Sequence, residues 1–524
     1  MPFKVQPTHR PHIIFYLFFL LGNGSFSFAQ SERSGSPVSW NMPQLIMGLD
    51  QPEILPEVNE SALLAEDVAS IEDYSAPYRF AFAHEVQLNL QNAGQWTNLP
   101  NGDRVWVLAM DSPDALSLAL TFHDVYLPRG ARLDIFTPNH AEHLGPISQR
   151  GEAIGSFGTA HFRGHSLIIE YFEPYASRGE GRIQLAYVSE GYRSLDATSL
   201  GCYASLYDHD AGRELEALSE SVVMILVDHG QRIATGTLVN NTNNNAVPYV
   251  LTAAEALVGS PEEMVFAFHY VDVSCMYPYI DGCSQWVVSG ASLLHAGSNS
   301  RLSLLQLDHL PESMVTPFFA GWHVTDESTV SHHWSIQHAL GLAQSCKEYF
   351  GQMQLVASPD GVHRSFTGLH EGASAAGSIG SPLFDAEHDL IGVYVGGNSD
   401  CQGQGHDYYT LLKDVWSELD DFLSPSSMEE DRMNGMYYSN EMVNHSLGGI
   451  IGIYPNPARD ILNISMDQSD ELISIEIFDM QGRSLAFIPT KNSSIDISAL
   501  PSGTFTLRVV TKKGVAVEPL VVRN

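Results

Sequence analysis

Short apolar runs alternating with turn residues constrain this chain more than any other feature. From residue 78 onward, short stretches such as HEVQLNLQN, RVWVLAM, ARLDIF and HSLIIEYFEP, each holding a strand of about five to eight residues, are separated by Gly, Pro, Asn and Asp clusters. Alternation places every second side chain on one face, so these runs are strands and the chain is all-β. Turn sequences Leu99-Pro100-Asn101-Gly102-Asp103 and Leu127-Pro128-Arg129-Gly130 separate them, and residues 78–193 read as an antiparallel β-sandwich. Residues 30–77, polar and proline-rich, read as an extended stretch or linker.

Between residues 201 and 425 the runs become longer and more apolar, among them SVVMILVD, PYVLTAAEAL and LIGVYVGG, and suggest a closed β architecture. The end of this module differs. Leu411, Leu412, Val415, Trp416, Leu419, Phe422 and Leu423 recur at spacings of three and four, which predicts an amphipathic helix stopped by Pro425. Residues 426–446 carry no usable period and read as a linker, and about seven further short strands in 447–524 make a small Ig-like sandwich.

A length of 524 residues implies several modules in series. Lys and Arg number 26 against 61 Asp and Glu, a formal charge of −35, so nucleic acid and anionic membrane surfaces are repelled as partners. Residues 1–29 combine Lys4 and Arg10, an apolar run from Ile13 to Leu21, and the small-x-small sequence Ser27-Phe28-Ala29: a signal peptide cleaved before Gln30. That run is far shorter than the roughly 20 residues a membrane helix needs, and no later segment is long and uncharged enough, so no membrane span is expected. The exported chain is free to form disulfides among its five cysteines. No C-x-x-C pair occurs, and His332, His333 and His338 fall on mixed faces of one probable strand, so neither metal nor cofactor is expected.

Specific motifs carry the reading further. Tyr454-Pro455-Asn456-Pro457, Leu462-Asn463-Ile464, Ile477-Phe478-Asp479-Met480-Gln481-Gly482 and Ile497-Ser498-Ala499-Leu500-Pro501-Ser502-Gly503 resemble the C-terminal sorting domain of the type IX secretion system. That resemblance implies that export machinery engages 447–524 and that the protein is secreted or held at the cell surface. The module 201–425, with TGTLVNNT, YVLTAAEA, FAGW, SIQH, GSIGSP, GGNSDC and DYY, resembles the lysyl endopeptidases, serine proteases with a trypsin-like double β-barrel. Residues 78–193, with PYRFAF, LPNGDR and YLPRGARL, look like the propeptide-type domain preceding such proteases.

Serine proteolysis needs a hydroxyl nucleophile, an imidazole base and a carboxylate that orients the imidazole. The resemblance places all three on other residues here. Where the family has Thr-Ala-His-His-Cys, this chain reads Thr252-Ala253-Ala254-Glu255-Ala256, so Glu255 takes the base position. The aspartate position before Leu302 falls to Arg301, and in Gly377-Ser378-Ile379-Gly380-Ser381-Pro382 the nucleophile position is Ile379. Glu255 and Arg301 are expected to pair, with Ile379 packing over them. A family disulfide is replaced by Ala234 and Ala256, which reads as a repacked core.

The same resemblance implies a substrate-binding set of Asp407, Gly377 and Ile379. Asp407 matches the acidic residue that receives a substrate lysine, the backbone N–H groups of Gly377 and Ile379 match an oxyanion-binding nest, and the family's pocket histidine is Val395. It also implies a Cys202–Cys401 disulfide. Cys275 matches a family cysteine whose partner is missing and is expected to join Cys283, leaving Cys346 as the free thiol. The expected protein is an exported, inactive serine-protease homologue that binds peptide or protein or serves at a surface. An active lysine-specific endopeptidase and a purely structural surface protein remain the two alternatives. Without proteolysis of its own, the chain cannot remove its 31–200 segment.

Overall fold

The computed structural model describes residues 36–524 except 48–50, 71–74, 149–154, 196–202, 204–205, 207–214, 271–286, 298–300, 312–316, 326–331, 426–429 and 438–451, with further breaks of a few residues elsewhere. The expected signal peptide, residues 1–29, lies outside the described residues.

In the N-terminal module the period-two pattern becomes a two-sheet sandwich. One sheet centres on Arg104–Asp111 and Ser166–Glu173, the other on Ser117–Tyr126 and Arg182–Gly191. Trp106, Leu108 and Met110 face Leu118, Leu120 and Phe122 within one core, the alternate residues of each strand. Each such fully buried side chain contributes about 1.5–3 kcal/mol. Residues 36–77 depart from the extended stretch expected of them. They form helical turns Val38–Asn41 and Gln44–Met47, a strand Glu53–Ile54 parallel to Met110 and Asp111, and a helix Glu60–Ser70. Polar contacts invisible in a local pattern hold them: the backbone N–H groups of Val38 and Ser39 donate to the Glu170 carboxylate at 2.5 and 3.0 Å. Asp67 receives Arg79, Arg193 and the Tyr192 hydroxyl, at 2.7, 2.8 and 2.7 Å.

Among the described residues, two large sheets make up most of the central module. The first is ordered Val287–Ser289, Val265–Phe268, Val222–Val227, Arg232–Val239, Tyr249–Ala253, Leu302–Leu307, Ala291–Ala296. The second is built around Leu390–Gly397, flanked by Pro382–Phe384 and Asp407–Leu411. One core joins the halves, with Ala253, Leu304 and Ile225 of the first packed together with Ile379, Val393 and Leu390 of the second. The predicted helix is Leu412–Leu423, and it buries Leu412, Val415, Leu419 and Leu423. Part of the expected linker is paired instead: Met433 lies opposite Trp322, and Met436 and Tyr437 opposite Phe319 and Phe318.

The long apolar runs of the first sheet have a specific cause. In Val222–Val227 the residues Val223, Ile225 and Val227 enter the central core, while Met224 and Leu226 enter the core of the N-terminal sandwich. Val265–Phe268 divides in the same way. The sandwich therefore covers the outer face of this sheet. Its strand Tyr78–Arg79 pairs with Arg232 and Ile233, and His161 bridges Ser117 Oγ at 2.9 Å and the Gly230 carbonyl at 2.8 Å. Among its described residues the C-terminal module has seven strands in sheets of three and four, matching the roughly seven expected, around a core including Leu462, Ile475, Leu507 and Leu520.

Candidate functional site

Strand register brings Glu255 and Arg301 together. Ala253 pairs with Leu302, and Ala254 N–H donates to the Arg301 carbonyl at 2.8 Å. Glu255 is the middle residue of the short turn Ala254–Ala256 just past that strand end, and Arg301 stands one residue before the partner strand, in the left-handed region at φ 57°. The Arg301 Nε–H donates to Glu255 Oε1 in an ion pair, with 15% of the arginine and 33% of the glutamate side chain exposed. The carboxylate and guanidinium thus form the ion pair expected of these two residues.

Ile379 is fully buried in the core that also holds Ala253 and Ala256. Its carbonyl accepts from Thr235 N–H at 2.9 Å, and Thr235 Oγ1 donates to the Gly377 carbonyl at 2.8 Å, so the loop is fastened to the first sheet. Gly380, at φ 87°, passes so close that a Cβ there would lie 2.1 Å from the Thr235 carbonyl oxygen, which only glycine permits. The serines beside Ile379 are engaged elsewhere. Ser378 Oγ accepts from Ala375 N–H at 3.1 Å, and Ser381 Oγ accepts from Ser335 Oγ at 3.3 Å. Among the described residues neither hydroxyl has an imidazole partner. His338 is fully buried, its Nδ1 against the Leu342 carbonyl at 3.1 Å, and burial pushes its pKa down to about 4.

Asp407 occupies the floor beneath Gly397: a Cβ on that glycine would lie 2.7 Å from Asp407 Oδ1. The aspartate is not an open acceptor. Lys347 Nζ–H donates to its Oδ2, the Tyr349 hydroxyl donates to the same oxygen at 2.6 Å, and Ser399 Oγ donates to Oδ1 at 2.7 Å. An internal ammonium therefore stands where that of a bound lysine was expected. Burial pushes the Asp407 carboxyl upward, but the Lys347 charge and these hydrogen bonds prevail and hold it below the usual carboxylate range. Sequence reasoning missed Lys347, Tyr349 and Ser399. The signal was available for two of them, since Lys347 and Tyr349 are alternate residues of the strand Ser345–Phe350 and share a face.

The remaining candidates separate. His332 Nε2 meets Glu348, while His333 is buried with its pKa pushed down to about 4 by desolvation. A group not foreseen, His323, Asp385 and Asp389, has ligand-type atoms within 4.8 Å of one another, and Arg432 Nε already pairs with Asp389 at 2.5 Å. Cys346 is a buried free thiol, as expected. Cys202, Cys275 and Cys283 lie outside the described residues.

Two large sheets share one core, the helix Leu412–Leu423 follows them, and the GSIGSP loop carries the buried Ile379 into that core. Residues 201–410 match the lysyl endopeptidase C-terminal domain, and residues 452–523 match a secretion system C-terminal sorting domain. The lysyl endopeptidase of Pseudomonas aeruginosa is 26% identical over 223 residues, which is 40% of this chain and 47% of that one. The chain thus spans about half the length of that relative. Among solved structures, the Rv3671c protease of M. tuberculosis in its inactive form is 16% identical at a TM-score of 0.28, covering 40% of this chain and 92% of that one. A serine endoprotease from Yersinia pestis is 10% identical at a TM-score of 0.29, covering 60% and 97%. The sorting domain marks the protein for type IX export, to the cell surface or beyond. Among the described residues no helix is long and apolar enough to cross a membrane.

Proposed function

We propose that this protein is an exported, catalytically silent serine-protease homologue that acts by binding, through the groove between its two sheets. The observation that carries this reading is the Glu255 and Arg301 ion pair, with Ile379 fully buried in the core. Proton transfer near neutral pH needs a free base, and a carboxylate held by a guanidinium is a poor one. A nucleophile needs a reactive atom, and isoleucine has none. In this reading the Gly377 N–H beside the nucleophile position receives a peptide carbonyl without cleavage, as it receives the Ala76 carbonyl within the chain.

Hydrolysis of a lysyl chromogenic peptide by the purified full chain is the test. No turnover above buffer is expected. Turnover that disappears on Ser378→Ala or Ser381→Ala would overturn the reading in favour of an active lysine-specific endopeptidase.

A further inference from the structure

The groove already holds a peptide, and that peptide is part of this chain. Residues 75–78 run between the Gly377 loop and the strand Leu390–Gly397. The Gly377 N–H, one of the two donors expected to receive a substrate carbonyl, donates to the Ala76 carbonyl at 3.3 Å. A Cβ placed on Gly396 would lie 3.0 Å from Ser75 Cβ, and one on Gly377 would lie 3.2 Å from Tyr78 Cβ, so both glycines are faced directly by the segment. Pro77 is buried. Beyond it the chain continues as the strand Tyr78–Arg79 on the first sheet, and Phe80 N–H donates to the Gln231 carbonyl at 3.1 Å. On the other side the helix Glu60–Ser70 is tied back through Asp67 to Arg79 and Arg193. The segment is thus anchored at both ends across the groove.

We propose that residues 75–78 close this groove in cis, and that the site takes an extended peptide with a small side chain at the Ala76 position while turning lysine away. The inference rests on the binding reading above. Its chemical class follows from the site: a backbone N–H receives the peptide carbonyl, a glycine wall admits close approach, and Lys347 with Asp407 fills the floor that a long cationic side chain would need. Lysine entering there would set a second ammonium beside Lys347. The occupied groove admits a peptide in trans only in the fraction of molecules whose own segment has left, and apparent affinity falls by that fraction.

The test is fluorescence polarisation of a dye-labelled peptide, Asp-Tyr-Ser-Ala-Pro-Tyr, copied from residues 73–78, with the full chain. Ala76→Trp, which sets a bulky side chain at the residue held by the Gly377 N–H, and Ser75→Trp, which collides with Gly396, displace the internal segment. Both variants are expected to bind the probe at least about tenfold more tightly than the wild type. The same peptide with lysine in place of alanine is expected to bind the variants at least about tenfold more weakly. Hydrogen–deuterium exchange on the same variants reports folding independently: residues 375–381 exchange faster than in the wild type, while Val222–Val227 keeps its protection. Equal affinity of wild type and variants, no binding to either variant, unchanged exchange at 375–381, or a preference for the lysine probe would each overturn the proposal. Turnover of a lysyl substrate overturns the binding reading instead, so the two failures are distinguishable.

Discussion

Lys347 and Asp407 form an ion pair with both side chains shut off from solvent, at the floor of the region where a ligand's ammonium was expected to land. Removing one partner leaves the other charged in a low-dielectric interior. Asp407→Ala is expected to destabilise the protein by about 3–5 kcal/mol, and Lys347→Met by a similar amount. The double change Lys347→Met with Asp407→Leu recovers part of that loss, because both charges leave together while the buried Tyr349 and Ser399 hydroxyls lose their carboxylate acceptor. Urea unfolding midpoints of the three variants check this. Additive losses in the double variant would contradict a coupled pair.

The Glu255 and Arg301 pair is only partly buried, and its contribution should be smaller. Arg301→Ala is expected to cost about 1–2 kcal/mol, between values for exposed and buried pairs, and to cost less in high salt. Denaturant unfolding at low and at molar salt measures both. A loss unaffected by salt would mean that the arginine acts through packing.

Three buried histidines make the fold acid-sensitive. Desolvation pushes His161, His333 and His338 down to about 4, against about 6.5 for an unfolded histidine. Between those values the unfolded chain binds more protons than the native one, so stability falls as pH drops through this window. Asp407 has the same sign, with its loss confined to pH below the ordinary aspartate value. The urea midpoint is expected to decline from pH 7 to pH 4.5, less steeply in His161→Asn. A midpoint flat across that range would contradict neutral burial of these rings.

Much of the architecture was legible because period-two alternation and turn chemistry are local. The helix Leu412–Leu423 and the seven C-terminal strands follow directly from spacing. What was not legible depended on partners far along the chain. Residues 36–70 looked featureless because their order comes from Glu170 and from Arg79 and Arg193 acting on Asp67. At the site, the motif alignment led to Glu255 and Arg301 because both flank strands that pair in register. Asp407 was located, but its state was set largely by Lys347 and Tyr349, some 60 residues away in sequence, with only Ser399 near it in the chain. The resting occupant of the groove was hidden for the same reason: 75–78 meets Gly377 only through the fold.

Cysteine chemistry gives a separate check. Cys346 is buried, and desolvation raises its thiol far above the usual range, so it should not react with Ellman's reagent in the native state. With disulfides Cys202–Cys401 and Cys275–Cys283 formed, denatured protein should release one thiol per chain. Three thiols would reject one of the pairings.

Catalytic silence is tested most directly by covalent labelling. The full chain, and the Ala76→Trp variant with its groove opened, are incubated with a fluorophosphonate that traps activated serines, and intact mass is read. No adduct is expected on either protein, because Ile379 offers no nucleophile and neither Ser378 nor Ser381 has an imidazole to activate it. A stoichiometric adduct mapped to Ser378 or Ser381 in either protein would contradict the account.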